Sequence, residues 1–245
     1  MTQVRLDKFL ANAGCGTRSE VKQLLKKGLV EVNGVTVREA EKKIDPKTDQ
    51  IICRGEPISE MGLVYYMLNK PAGYLSATQD ARGPVVLDLI HEKKKSELFP
   101  VGRLDIDTEG LLLLTNDGPL AHELLSPKKH VDKCYRAEIE GIVTEEDCRL
   151  FEEGLDIGEK RLTMPAGLRI LETSEEPEPH SHIEVTIREG KYHQVKRMFE
   201  AVGKKVRYLE RISMGSLVLD RSLERGSYRK LTDEEIEELK NYAGK

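Results

Sequence analysis

No Cys-x-x-C pair occurs in these 245 residues; the four cysteines, Cys15, Cys53, Cys134 and Cys148, are scattered. That spacing excludes the common zinc sites and, in a chain this long, a disulfide framework. No apolar run approaches the roughly 18 residues of a membrane span. The opening residues, Met1-Thr2-Gln3-Val4-Arg5-Leu6-Asp7, lack the apolar stretch of a signal peptide. No long repeat is present. Together these absences predict a cytoplasmic protein of one large domain, or a large and a small one, with no metal and no membrane partner. Positive charge is also short overall, the net being −4. Taken alone, that balance argues against a nucleic-acid binder. Its distribution argues the other way. Residues 1–54 hold eleven Lys/Arg against seven Asp/Glu, and residues 186–211 hold eight against three. Local patches, not the total, set attraction to a phosphate backbone.

The most informative stretch is Gly102-Arg103-Leu104-Asp105-Ile106-Asp107-Thr108-Glu109-Gly110, followed by Leu111 to Leu114 and Thr115-Asn116-Asp117-Gly118. Four leucines bounded by turn residues predict a strand buried on both faces. A carboxylate in the loop feeding such a strand stands on a rigid element, where a catalytic group belongs. Two other chemistries compete for this stretch. A calcium loop would start like Asp105-x-Asp107-x-Glu109-Gly110, but its twelfth position is Asn116, and leucines occupy the second half where ligands belong. An aspartyl phosphotransferase motif would place Thr where Glu109 stands and an apolar strand before Asp105. The remaining alternative is a solvated acidic turn.

The first sixty residues read as a small module. Leu6, Phe9, Leu10 and Ala13 recur at helical spacing, ending at Gly14 and Gly16. Thr17-Arg18-Ser19-Glu20 fits a capping box for a second helix whose apolar positions are Val21, Leu24 and Leu25. Gly28 stands where a helix-terminating glycine belongs. Val30, Val32, Val35 and Val37 alternate around Asn33-Gly34, a hairpin signal. Ile51 to Cys53 reads as a further strand and residues 55–62 as a linker. The predicted domains are 1–58 and 63–245.

Beyond the linker, strands are predicted over 64–68, 111–114, 135–139, 168–171, 183–187 and 216–219. Helices are predicted over 85–90, 120–125, 145–153, 193–202 and 233–242. Residues 172–182, polar and containing two prolines, read as a mobile hairpin loop. Strands interleaved with helices at irregular spacing, several of them alternating, indicate an α+β fold on a largely antiparallel sheet.

The words Gly-Arg-Leu-Asp and Thr-x-Gly-Leu-Leu-Leu-Leu-Thr-Asn-Asp-Gly resemble the signature around the catalytic aspartate of pseudouridine synthases, in the RsuA branch that modifies ribosomal RNA. The module of Arg5-Leu6-Asp7-Lys8-Phe9-Leu10, Thr17-Arg18-Ser19 and Val30-Glu31-Val32-Asn33-Gly34 resembles the S4 RNA-binding domain. The resemblance runs from Arg5 to about Glu235. It implies isomerisation of a uridine in ribosomal RNA without cofactor, by an enzyme expected to act as a monomer. The base must leave the stack, as in base-flipping enzymes.

By resemblance, Asp105 is the essential carboxylate, either attacking the sugar or removing a sugar proton. Its charged form needs a cation within roughly 4–6 Å. Lys196, in Glu189-Gly190-Lys191-Tyr192-His193-Gln194-Val195-Lys196-Arg197-Met198-Phe199, matches the family's basic partner. Tyr135, in Lys133-Cys134-Tyr135-Arg136, would stack on the flipped uracil. Lys70-Pro71-Ala72-Gly73 would support the active-site loop, Arg103 would hold a phosphate of the target strand, and Leu217 would line the pocket. Arg18, Lys22, Lys26, Lys27 and Arg197 are the expected RNA contacts. His193 is not read as catalytic. The form of residues 192–199 points to the small-subunit branch and hence to 16S rRNA; a 23S rRNA uridine, or a non-catalytic assembly factor built on the S4 module, are the alternatives.

Overall fold

A computed structural model describes residues 3–13, 15–46, 48–58, 62–92 and 95–243. The chain divides into two units, Met1–Val64 with Glu92–Glu97, and Tyr65–His91 with Leu98–Lys245.

The first unit runs β1 (Val4–Arg5), α1 (Leu6–Asn12), α2 (Arg18–Lys26), β2 (Val30–Val32), β3 (Val35–Thr36), β4 (Lys43–Ile44), β5 (Ile51–Cys53) and β6 (Glu56–Ile58). The capping box of α2 forms: the Thr17 hydroxyl accepts the Glu20 amide at 3.3 Å, and Glu20 accepts the Thr17 amide at 2.7 Å. Val21, Leu24 and Leu25 then face a core shared with Leu6, Phe9, Leu10, Val30 and Ile51. Each fully buried aliphatic side chain contributes about 1.5–3 kcal/mol. Arg18, Lys22, Lys26 and Lys27 point to solvent on the other side of the helix.

The hairpin turns at Asn33 (φ 53°) and Gly34 (φ 77°), the left-handed pair that a two-residue turn requires. Val35 departs from the expected alternation and is exposed, because β3 is an edge strand of the order β3-β2-β5-β6. Glu56–Ile58, read as linker, is a strand paired with β5. Gly14, expected to end α1, lies outside the described residues.

The second unit contains β7 (Tyr65–Lys70), β8 (Phe99–Pro100), β9 (Glu109–Thr115), α3 (Gly118–Leu125), β10 (Lys133–Glu140), α4 (Glu145–Glu153), β11 (Gly167–Ser174), β12 (His180–Ile187), α5 (Gln194–Ala201), β13 (Lys205–Met214), β14 (Leu217–Val218), β15 (Tyr228–Lys230) and α6 (Asp233–Ala243). The main sheet has the order β11-β12-β10-β13-β9-β7-β15. β9 and β13 run parallel, and the other strand pairs are antiparallel. This is the mixed, largely antiparallel α+β arrangement expected. All seven residues of β9 are buried. Leu111 and Leu113 join a cluster with Tyr65, Met67, Leu120, Leu124 and Leu239, contributed by β7, α3 and α6.

Three expectations are corrected. β13, ten residues long, was not foreseen, and β15 was not either. The supposed mobile loop over 172–182 is mostly paired strand, with β11 reaching Ser174 and β12 starting at His180. Residues 85–90, expected to be helical, form a single 3-10 turn at Val86–Leu89.

Candidate active site

The segment 102–108 leads into β9, and hydrogen bonds from β7 and the residues after it hold its backbone in place. Lys70, at the end of β7, is fully buried. Its ammonium donates to the carbonyl oxygens of Thr108 (2.8 Å), Pro71 (3.0 Å), Asp105 (3.1 Å) and Ile106 (3.3 Å). Burial pulls the Lys70 pKa down to about 8, against the nearby carboxylates of Asp107, Glu109 and Asp105. The amide of Gly73 donates to Ile106 at 2.7 Å. The Ser76 hydroxyl accepts from the Leu104 amide and donates to the Leu104 carbonyl, at 3.0 and 2.9 Å. The support expected of Lys70-Pro71-Ala72-Gly73 is therefore supplied mainly by a buried ammonium.

Gly110 closes the loop onto the sheet. Its φ is +97°, and a Cβ there would meet the Arg211 carbonyl oxygen at 2.3 Å. Only glycine lets β9 lie this close to β13, where Glu109 pairs with Glu210 and Gly110 with Arg211. Behind the loop, Glu109 accepts from the Ala72 amide (3.3 Å) and the Tyr208 hydroxyl (2.8 Å), and pairs with Arg225 at 3.0 Å.

Above the loop lies a cleft of about 550 Å³, lined by Gly102 to Asp105, Thr108, Leu125, Lys133, Tyr135, Ile187 to Lys196, Leu209 and Arg211 among others. It brings together four of the expected site residues: Arg103, Asp105, Tyr135 and Lys196. The Asp105 carboxylate is partly exposed. One oxygen lies 3.8 Å from Lys196 Nζ and the other 3.6 Å from His193 Nε2. The shorter contacts of Lys196 go elsewhere, to both oxygens of Asp107 at 2.6 and 2.7 Å. Partial burial raises the Asp107 pKa, but those bonds and the Lys196 charge outweigh it and the net shift is downward. Tyr135 is buried at the cleft wall, and Arg103 is exposed at its edge.

The segment 189–193 is also built. His193 adopts a left-handed conformation (φ 48°) just before α5. Buried Gln194 accepts the Lys191 amide at 2.9 Å and donates to Glu189 at 2.8 Å. Tyr192, largely exposed, stacks on His193 with centroids 3.8 Å apart. The ring of His193 thus stands between Tyr192 and Asp105, which makes His193 part of the site after all.

Two expected residues are not brought there as foreseen. Leu217 packs in the core with Met214, Leu219 and Leu231 and does not line the cleft; Leu104, Leu125, Ile187, Val195 and Leu209 supply its apolar wall. Arg197 turns along α5 to pair with Glu159 at 3.0 Å and to donate to the Tyr192 and Ile157 carbonyls. The basic count over 186–211 is likewise offset by acids: Arg188 pairs with Asp132, Lys191 with Glu189, Lys204 with Asp147, and Arg207 with Glu140 and Glu178. Sequence reasoning missed Arg211, which is buried in β13 beside Tyr135.

Residues 64–201 match the family model described as RNA pseudouridylate synthase, and residues 4–51 match the S4 domain. This chain belongs to the RNA pseudouridylate synthase family. It is an isomerase with an S4 RNA-binding domain at its N-terminal end. It is 48% identical to the uncharacterized RNA pseudouridine synthase YtzG of Bacillus subtilis (strain 168), over 95% of this chain and 97% of that protein. It is 40% identical to ribosomal small subunit pseudouridine synthase A of Yersinia pestis, over 95% and 97% of the two chains. It is also 40% identical to ribosomal large subunit pseudouridine synthase B of Bacillus subtilis (strain 168), over 98% and 96%. A crystal structure of a pseudouridylate synthase superposes with a TM-score of 0.68 at 39% identity, over 96% of this chain and 99% of that one.

Proposed function

We propose that this enzyme isomerises one uridine of ribosomal RNA to pseudouridine, that its target lies in 16S rRNA, and that Asp105 is the essential catalytic group. The observation that carries the reading is Asp105 itself: a carboxylate in a cleft, on a loop tied down by Lys70, with Lys196 and His193 within 4 Å of its two oxygens. Preorganised charge of this kind is what a reaction building positive character at a sugar carbon requires.

The target nucleotide leaves the stack, and its uracil lies against Tyr135. Asp105 attacks C1′ or removes a sugar proton, the N1–C1′ bond breaks with its electron pair passing to the base, and the base turns. C5 then bonds to C1′ as the bond to Asp105 breaks, or as Asp105 returns the sugar proton; the C5 proton leaves and N1 takes one up. Lys196 sets a cation beside Asp105, and Arg103 holds a phosphate of the target strand. Residues 1–58 dock on structured RNA through Arg18, Lys22, Lys26 and Lys27, and residues 63–245 carry out the isomerisation. The enzyme acts as a monomer in the cytoplasm.

The small-subunit target is supported by Tyr192-His193-Gln194-Val195-Lys196-Arg197 and by the identity to the Yersinia small-subunit enzyme. A second reading, a 23S rRNA target, is favoured by equal identity to the large-subunit enzyme of Bacillus. Purified protein incubated with 16S and 23S rRNA transcripts, each then mapped by carbodiimide labelling and primer extension, tests the choice. A single new stop in 16S rRNA is expected. A stop in 23S rRNA alone would replace the first reading with the second.

A further inference from the structure

Two cations at the floor of the cleft form no ion pair among the described residues. Arg211 is 1% exposed. Its Nε donates to the Leu111 carbonyl at 2.8 Å, while its Nη2 is buried with no hydrogen-bond partner among the described residues. Lys133, half-buried, donates to the Val131 carbonyl at 2.9 Å. Among the described residues, neither has a carboxylate within 4 Å. Every other cation reaching this cleft from α5 or the segment 188–193 before it is paired: Lys191, Lys196 and Arg188 each have an acid. Burying an arginine without a counter-charge is expensive. A structural tie to Leu111 needs only one donor and no charge. An arginine held this way is matched to an anion that arrives with the substrate.

Position selects the anion. Arg211 is the register partner of Tyr135 across β10 and β13, and Lys133 lies two residues from Tyr135 on the same face of β10. A phosphate on a folded RNA backbone stays near the exposed rim, where Arg103 stands. The group that goes to the floor beside Tyr135 is the extruded base. We infer that Arg211 and Lys133 bind the uracil ring and stabilise it as the anion released when the N1–C1′ bond breaks.

This rests on the proposed role of Asp105 in the same cleft. When the bond breaks, both electrons pass to N1 and spread to the O2 and O4 carbonyl oxygens. The deficit at C1′ is met by the carboxylate, or by loss of a sugar proton to it. The base stays anionic until C5 returns the electron pair to C1′, which releases Asp105 from the sugar or takes the sugar proton back from it; the C5 proton then leaves and N1 is protonated. Through that interval the base carries a full negative charge, for which Arg211 and Lys133 supply the compensating charge. Burial and then Arg211 bring the Lys133 pKa down to about 8, against the Asp132 carboxylate, so Lys133 still carries its charge at neutral pH.

The test compares Arg211→Gln, Arg211→Lys and Lys133→Gln with wild type under single turnover, on the same rRNA fragment made with uridine or with 5-fluorouridine. N1–C1′ cleavage is followed by nuclease digestion and chromatography. Fluorine stabilises the anionic base, so the substrate itself supplies part of what the variants lack. With uridine, Arg211→Gln is expected to slow cleavage by about 10²–10³-fold, as for removal of one preorganised donor. With 5-fluorouridine the loss should be at least several-fold smaller, and Arg211→Lys should recover most of the rate. Equal losses on both substrates would overturn the inference, as would a loss of RNA affinity with unchanged cleavage, which would make this a phosphate site. If Arg211→Gln does not fold, the same ratio is read from Lys133→Gln. Asp105→Asn is run alongside: full cleavage by that variant would remove the reading beneath the inference, whereas an inactive Asp105→Asn with equal losses in the Arg211 and Lys133 variants would remove the inference alone.

Discussion

Lys70 Nζ lies 3.1 Å from the backbone oxygen of Asp105, so the residue that carries the proposed chemistry is held through its main chain by a buried ammonium. Three more carbonyls share that ammonium. Lys70→Met should leave these oxygens unpaired and let the loop move. A misplacement of about 1 Å costs on the order of 10²-fold in rate. We expect a loss of that size in single-turnover rate, a lower thermal midpoint, and RNA affinity within a few-fold of wild type. Unchanged turnover would show that the loop holds its shape without the ammonium.

Lys196 is nearer to Asp107 than to Asp105. The two acids compete for one cation. Lys196→Met should cost about 10²–10³-fold in rate, because Asp105 loses its closest cation. Asp107→Asn should cost little, since Lys196 is then free to turn toward Asp105. Rate measurements on the two variants decide between the partners: equal losses would make Asp107 a working part of the site.

Lys70 and Lys133 both have pKa values brought down to about 8 by burial, from an ordinary 10.5. In the unfolded chain they keep their protons up to that higher value. Between about pH 8 and 10 the unfolded state therefore binds more protons, and these two groups make stability rise with pH. Activity should move the other way. As pH passes about 8 the loop loses its ammonium and the cleft floor loses a cation. A rate profile that falls above pH 8 while urea unfolding shows no loss of stability would bear this out. A flat rate profile to pH 10 would contradict it.

Six of the eight cations in residues 186–211 have acid partners, whereas Arg18, Lys22, Lys26 and Lys27 are exposed on α2. The salt dependence of RNA binding should therefore come mainly from α2. Replacing Lys22 and Lys26 by Gln should reduce the slope of log K against log salt by roughly 1 for each phosphate no longer neutralised. Replacing Arg207 should leave it nearly unchanged. Filter-binding titrations at several salt concentrations measure both; the opposite ranking would move the RNA footprint to the second unit.

The parts that were legible in the sequence are those set by local rules. Leu111–Leu114 between turn residues gave a strand buried on both faces, and Thr17-Arg18-Ser19-Glu20 gave the capping box. What escaped was set by distant partners. The side chains of β13 change phase near Leu209, and its ladder to β10 has two register shifts, so period-two alternation fails along Lys205–Met214. Its arginines read as surface charge because nothing local marks Arg211 as buried. Leu217 was drawn to the cleft by a motif, while β14 pairs with the end of β13 and carries it into the core. Counting charge along the chain likewise overstated the basic patch, because acids from β10, α4 and the segment 157–159 meet it in space.

Asp105 is the proposed group without which the glycosidic bond does not break. The direct measurement is single-turnover pseudouridine formation by Asp105→Asn on full-length 16S rRNA, with RNA affinity measured on the same preparation. No detectable pseudouridine is expected, with affinity within a few-fold of wild type. Pseudouridine formed at the wild-type rate by Asp105→Asn would contradict it.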